Sequence, residues 1–294
     1  MYYSLSLLSG FIIAVMILVN GILTQHYGVH LTTIIIHLTG LILISAVVLI
    51  KRAKPFATRQ GWYLYLGGAI GILTTIFNNV AFGRISVSAL LALVLLGQSV
   101  ASLAVDQFGW MEMIKHPFNR RRILGLLLTL AGIAVMIDRF DTLAVAVSFL
   151  AGWTIVISRT LNARLGKLSS EIDSTFFNYF VGFIVSIPIF LILGLSQTNL
   201  PSLTVLPNPL IYTGGLMGVC LIWFCNVVVT RIPAFYLSLL MFIGQVLMGI
   251  IIDAVISRSF SLPIMLGGVL VAAGLCLDLF LVKKYQGDRS GSSG

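Results

Sequence analysis

The chain has 294 residues, of which 59% are hydrophobic and only 9% charged, and its mean hydropathy is +1.06. A soluble domain carries about a quarter charged residues, so this composition excludes a soluble enzyme, a disordered protein and an ordinary nucleic-acid binder. The formal charge of +9 comes from 18 Lys and Arg against 9 Asp and Glu; in so apolar a chain the excess reports membrane topology before it reports a polyanionic partner.

A bilayer core of about 30 Å needs about 20 apolar residues per helix. In chain order, ten such runs predict transmembrane helices near residues 3–22, 31–50, 62–83, 86–105, 122–138, 141–161, 173–194, 210–230, 233–256 and 262–282. The first run has no charged leader and is followed at once by another span, so it reads as an uncleaved helix rather than a signal peptide. Cys220, Cys225 and Cys276 lie in apolar runs, and an odd count there argues against a disulfide framework. The tail, residues 287–294, reads as an expression-tag remnant and is set aside from fold reasoning.

The cations set an orientation. With the N-terminus cytoplasmic, fifteen Lys and Arg residues fall inside, from Lys51, Arg52, Lys54 and Arg59 to Lys283, Lys284 and Arg289, while only Arg84, Arg139 and Arg258 fall outside. This positive-inside bias supports ten spans independently of hydropathy and places both termini in the cytoplasm.

An internal repeat is visible. Residues 67–106 align with 214–253 at an offset of 147, with 13 identities in 40 positions. They include Gly67-Gly68 with Gly214-Gly215, Asn79 with Asn226, Arg84 with Arg231, Gly97-Gln98 with Gly244-Gln245, and Asp106 with Asp253. Elsewhere the offset is 142: Asn20 matches Asn162, Gly40 matches Gly182, Gly125 matches Gly267 and Gly132 matches Gly274. The expected organisation is therefore an all-α integral membrane protein of ten transmembrane helices in two inverted five-helix repeats, residues 1–139 and 140–286. Five is odd, so the second copy is inverted, and a central site between such halves suits alternating access. No Gly-x-x-x-x-Gly-Lys-Ser/Thr loop is present, so a gradient or plain facilitation is the expected source of energy and no cofactor is expected.

Ten helices in two inverted halves resemble the drug/metabolite transporter superfamily, and within it the YdcZ-like family of bacterial inner-membrane proteins. The residues that carry the resemblance are Asn20-Gly21, the segment from Gly97-Gln98 to Asp106-Gln107-Phe108-Gly109, the basic Arg120-Arg121-Arg122-Ile123-Leu124-Gly125 stretch, and Asn162-Ala163-Arg164-Leu165-Gly166. The resemblance spans nearly the whole chain. It implies the fold, a transport role and a multi-pass location in the bacterial cytoplasmic membrane, and it fixes no substrate.

Polar side chains in spans face the bundle interior or a water-filled cavity. The expected substrate-pathway residues are Asn20, His37, Asn79, Gln98, Trp153, Asn162, Asn178, Trp223, Asn226 and Gln245. For the amides the competing reading is interhelical hydrogen bonding that holds the bundle together; for the tryptophans it is core packing, against stacking on a planar or quaternary-ammonium ligand. Arg84, Asp106, Arg231 and Asp253 suggest paired gates, Asp106 with Arg231 inside and Asp253 with Arg84 outside, against plain end-capping or snorkelling. His37, Asp106 and Asp253 are the candidates for proton coupling. The spacing of His26, His30 and His37, without a nearby carboxylate or thiol, does not make a metal site. Gly125 with Gly132, and Gly267 with Gly274, form small-residue strips, which leaves open packing within the bundle or a homodimer contact.

Neutral amides and aromatic faces suit a neutral or delocalised-cation organic solute, moved by a secondary transporter with export favoured on resemblance. The main alternative is a flippase for a lipid or lipid-linked sugar. The expected partners are that small molecule and membrane lipid.

Overall fold

A computed structural model describes residues 2–57, 59–108, 122–137, 140–195, 204–229, 234–257 and 262–290. Among the described residues the protein is all-helical, apart from an isolated bridge between Phe82 and Ile85. In chain order the elements are α1 (Tyr2–Lys51), a 3-10 turn (Trp62–Tyr65) leading into α2 (Leu66–Ala81), α3 (Val87–Phe108), α4 (Arg122–Met136), α5 (Thr142–Leu168), α6 (Glu171–Ile189) with a π turn (Phe190–Gly194), a second 3-10 turn (Pro209–Tyr212), α7 (Gly214–Val229), α8 (Ala234–Ser257) and α9 (Leu262–Ser290). The last helix runs on into the first residues of the tail that reads as a tag.

Among the described residues, five helical stretches are long and apolar enough to cross a membrane: Tyr2–Lys51, Trp62–Ala81, Val87–Val105, Thr142–Leu168 and Glu171–Gly194. Helices suit a bilayer because every backbone group finds its partner within the segment. The span in α3 is 78% buried, whereas that in α6 is 22% buried; among these five spans α3 is the most enclosed and α6 presents most of its surface outward. Leu49, Ile50 and Ile192 are among the large apolar side chains left exposed, as expected of lipid-facing positions.

The first two expected helices are not separated by a loop over 23–30. Helical structure runs through the whole of α1, and only Gly28 leaves helical geometry, at φ 77 and ψ 167, a conformation open to glycine because it lacks a Cβ. The chain reverses there. Along α7, Gly214 abuts Asn20 and Gly218 faces Met16, while Gly215 abuts Ile36 and Gly40. Residues 2–27 (α1a) thus run antiparallel to α7, and, with Ile44 and Val219 in one apolar cluster beyond the Gly215 contact, residues 29–51 (α1b) run parallel to it. The corner is fastened by Tyr27, whose hydroxyl lies 2.6 Å from that of Tyr212 and donates to the Thr204 carbonyl at 3.1 Å.

Local signals explain the other ends. Asp141 caps α5 by accepting from the Ala144 amide at 2.9 Å, and Ser170 caps α6 by accepting from the Asp173 amide at 3.0 Å; both satisfy amides that a helix start leaves unpaired. Pro188 sits inside α6. It removes an amide donor there, and the helix widens into the π turn just beyond it.

The glycine strips pack on each other. Gly132 lies against the backbone of Gly267, and Gly274 against Gly125 and Thr129, so α4 and α9 meet backbone to backbone. These strips are filled within the chain and are not free for a homodimer contact.

Candidate functional site

The polar interior is built where helices cross on glycine. Gly67 at the start of α2 faces the Asn162 side chain of α5, and Gly214 at the start of α7 faces the Asn20 side chain of α1a. At the next position, Gly68 packs on the Asn178 backbone and Gly215 on the Ile36 backbone. The same reciprocity recurs deeper: Gly97 of α3 packs on Phe149 and Gly152 of α5, and Gly244 of α8 packs on Leu7 and Gly10 of α1a. Each contact in one set becomes the other when residues are shifted by 142 or 147. Helices α2 and α3 therefore pack across the 139/140 boundary onto α5, and α7 and α8 pack back across it onto α1a. Sequence reasoning matches Asn20 with Asn162 but misses Gly10 with Gly152, an equivalence at the same offset of 142 that one glycine in an apolar run does not advertise.

His37 and Tyr179 form a second missed pair. The His37 ring lies over Gly182 and the Tyr179 ring over Gly40, with ring centroids 6.1 Å apart. His37 is buried, and its Nδ1 lies 2.8 Å from the Thr33 carbonyl. A carbonyl can only accept, so Nδ1 carries the proton. The Tyr179 hydroxyl donates to the Gly215 carbonyl at 3.2 Å. Both rings thus bridge α1b and α6, and Tyr179 adds α7.

The amides divide into two groups. Asn162 donates to Asn178 Oδ1 at 2.7 Å and to Ser158 Oγ at 3.4 Å, and Ser158 donates to the Gly67 carbonyl at 2.7 Å. Those two asparagines are joined to each other and to α2, which fits the bundle-holding role. Asn20 has no such network: its buried Oδ1 lacks a partner among the described residues. The positions that correspond to Ser158 and Asn178 in the first half are Met16 and Ile36, which offer its amide no polar side chain. Asn79 Nδ2, Asn78 Oδ1 and Trp153 Nε1 are likewise buried without a partner among the described residues. Trp153 packs by Ala101, Val105 and Val156 between α3 and α5. Thr74 and Thr154 share a 2.7 Å hydrogen bond between α2 and α5.

Gln98 and Gln245 are buried at 9% and 3% exposure. Each follows the glycine on which its helix crosses a neighbour, so each begins its side chain at a backbone-to-backbone crossing. Gln98 Oε1 accepts from Arg159 Nη2 at 3.5 Å. The side chains of Asp106, Trp223 and Asn226, and Arg231 as a whole, lie outside the described residues, and with them the expected Asp106–Arg231 pair.

The expected Asp253–Arg84 pair is replaced by two other arrangements. Asp253 is buried and accepts from the amides of Val87 at 2.7 Å and Ser88 at 2.8 Å. A helix N-terminus supplies both free amides and a favourable dipole for a carboxylate, so Asp253 caps α3. Arg84 turns instead to Asp141, at 3.3 Å. Asp141 Oδ1 also takes the Ala144 amide; chiefly that bond, with Arg84 adding to it against the effect of burial, holds its carboxyl below the usual range.

The arrangement offers neutral hydrogen-bonding groups and an indole in a helical interior, with one guanidinium, Arg159 of α5, reaching Gln98; Arg84, Asp141 and Asp253 stand at helix ends. Comparison with curated proteins gives no match. A crystal structure of a protein 15% identical in sequence superposes over 95% of this chain and 98% of that one, with a TM-score of 0.60, which shows a shared fold. The model of the DMT_YdcZ family, described as "Putative inner membrane exporter, YdcZ", matches residues 1–135 and 143–277. The chain belongs to this family, and that membership marks it as a membrane transporter.

Proposed function

We propose that the protein is a secondary transporter that moves a small organic solute, neutral or a delocalised cation, across the cytoplasmic membrane by alternating access. The exchanging units are two inverted five-helix halves, residues 1–139 and 140–286, with both termini cytoplasmic and export the favoured direction. The observation that carries this reading is the reciprocity of the glycine contacts. Under a two-fold relation a contact between two residues entails the same contact between their images, and Gly67–Asn162 with Gly214–Asn20 obeys that rule. The two stretches matched by the family model begin 142 residues apart, at 1 and 143, the offset read from the sequence. Inverted halves of equal construction let one central site face either side as they exchange conformations.

The solute class follows from the unpaired interior groups. Asn20, Asn79 and Trp153 present an amide oxygen, an amide nitrogen and an indole N–H, none of them charged, and an indole face attracts a delocalised cation.

Closure of one end is the testable step. In a background lacking the native cysteines, Arg84→Cys with Asp141→Cys is bridged by a short bifunctional thiol reagent whose linker is cleaved by reductant. The solute is first chosen from a thermal-shift panel of quaternary amines, guanidinium compounds, nucleosides, amino acids and sugars, since a ligand of the folded state raises its stability. Bridging should stop transport of that solute in proteoliposomes, and a reductant should restore it. Undiminished transport by the bridged protein would remove alternating access. Stabilisation by lipids alone, with no soluble hit, would favour the flippase.

A further inference from the structure

A cleft outside the polar interior has the chemistry of a lipid headgroup site. The segment between α1 and α2 folds against the first turns of α6 and encloses about 290 Å³, lined by Phe56, Arg59, Tyr65, Phe177, Phe180 and Val181. The segment is pinned: the Gln60 amide donates to the Tyr65 hydroxyl at 3.2 Å, and Gln60 Nε2 donates to the Leu168 carbonyl at 3.3 Å. Phe56 stands edge-on to Phe177 at 5.3 Å and to Phe180 at 5.9 Å. The walls are thus aromatic, and a single guanidinium lies among them.

The surroundings are cationic. The α1–α2 segment and the α5–α6 junction carry six cations, Lys51, Arg52, Lys54, Arg59, Arg164 and Lys167, against two carboxylates, Glu171 and Asp173. Phe56 is 66% exposed and Trp62 75% exposed. Exposed aromatics beside Lys and Arg at helix ends mark the headgroup level of a membrane protein, and basic pockets between helices recognise anionic lipid heads.

We propose that this cleft binds an anionic phospholipid, its phosphate against Arg59 and its glycerol and upper acyl carbons against Phe56, Phe177 and Phe180. A free phosphate would use the guanidinium alone and leave the exposed face of Phe56 uncovered. The excess of cations over carboxylates selects a net-negative head over a zwitterionic one. This site is independent of the solute pathway and rests only on membrane embedding.

The test uses the full-length protein in an uncharged detergent, doped with phosphatidylglycerol, phosphatidylcholine or soluble glycerol phosphate, with melting followed against lipid concentration. Phosphatidylglycerol should stabilise the protein more than either alternative. Arg59→Gln should weaken that effect by about tenfold, the loss of one charge-assisted hydrogen bond, while leaving melting without lipid unchanged. Lys54→Gln, a neighbour that does not line the cleft, should retain the effect. Equal stabilisation of Arg59→Gln and wild type, equal loss in Lys54→Gln, or a response to glycerol phosphate matching that to the lipid would each overturn the proposal.

Discussion

His37 and Tyr179 stand 142 residues apart in the chain, and their rings meet at 6.1 Å, each lying over the glycine that neighbours the other. A pair of equivalent residues can touch each other only near the axis that relates them. Under the proposed inverted repeat, this contact lies by the axis that relates the two halves.

That placement predicts a sensitivity to small substitutions. A methyl group added at Gly40 would enter the Tyr179 ring, and one added at Gly182 would enter the His37 ring. Gly40→Ala and Gly182→Ala should each lower stability by about 1–3 kcal/mol, the usual cost of overpacking. Melting in detergent measures it. Wild-type melting in both variants would mean that the rings have room to move and that the contact is loose.

Asp253 should matter for folding before it matters for gating. It accepts two amides at the start of α3, and loss of an N-cap acceptor costs about 0.5–2 kcal/mol. Asp253→Ala should destabilise more than Asp253→Asn, which keeps one oxygen. Double-mutant cycles then separate the partners of Arg84: Arg84→Gln should couple with Asp141→Asn and add independently to Asp253→Asn. Coupling between positions 84 and 253 would restore the gate expected from sequence.

The helices, the repeat and the polar inventory are readable in the sequence, because apolar runs and glycine or asparagine identities survive without any three-dimensional information. Which polar atoms are paired is not. Asn20 and Asn162 look equivalent along the chain, yet only Asn162 has Ser158 and Asn178 within reach. Asp253 matches Arg84 by symmetry of charge, but a free helix N-terminus is invisible in composition and competes successfully for a carboxylate. The reversal at Gly28 reads as a loop between two apolar runs, and nothing in the residues around it tells a loop from a single glycine hinge.

The two asparagines provide a direct contrast. Asn178→Leu removes the acceptor of the Asn162 amide and leaves a buried donor short of a partner, which costs about 1–3 kcal/mol. Asn20→Leu removes an oxygen that has no partner among the described residues and should cost less. If Asn20→Leu proves the more destabilising by thermal denaturation, Asn20 is a structural residue and leaves the pathway.

Asp141 gives a prediction about pH. Its folded-state pKa is depressed by the Ala144 amide first and by Arg84 as well. A depressed carboxylate stabilises above its unfolded pKa, near 3.9, and that contribution is lost only as pH falls through the lower folded value. The cap is therefore fully charged from about pH 5 to 8. Asp141→Asn should leave the shape of any transport profile across that range unchanged; a displaced profile would show that Asp141 itself takes up a proton during transport.

Gln98 and Gln245 separate a pathway from a scaffold. Both are buried beside backbone-to-backbone crossings, so a purely structural glutamine would be expected to hold those crossings together. Leu has a similar volume and no polar atoms, and replacing a buried amide that binds solute need not cost stability. A pathway role predicts that Gln98→Leu and Gln245→Leu melt within about 1 kcal/mol of wild type, at the small end of single-substitution effects, while transport falls at least tenfold. A scaffold role predicts the reverse order, early melting with transport lost only in proportion to unfolded protein. If the two substitutions differ, with only Gln98→Leu destabilised, its hydrogen bond from Arg159 is the cause, and Gln245 alone remains as the solute contact.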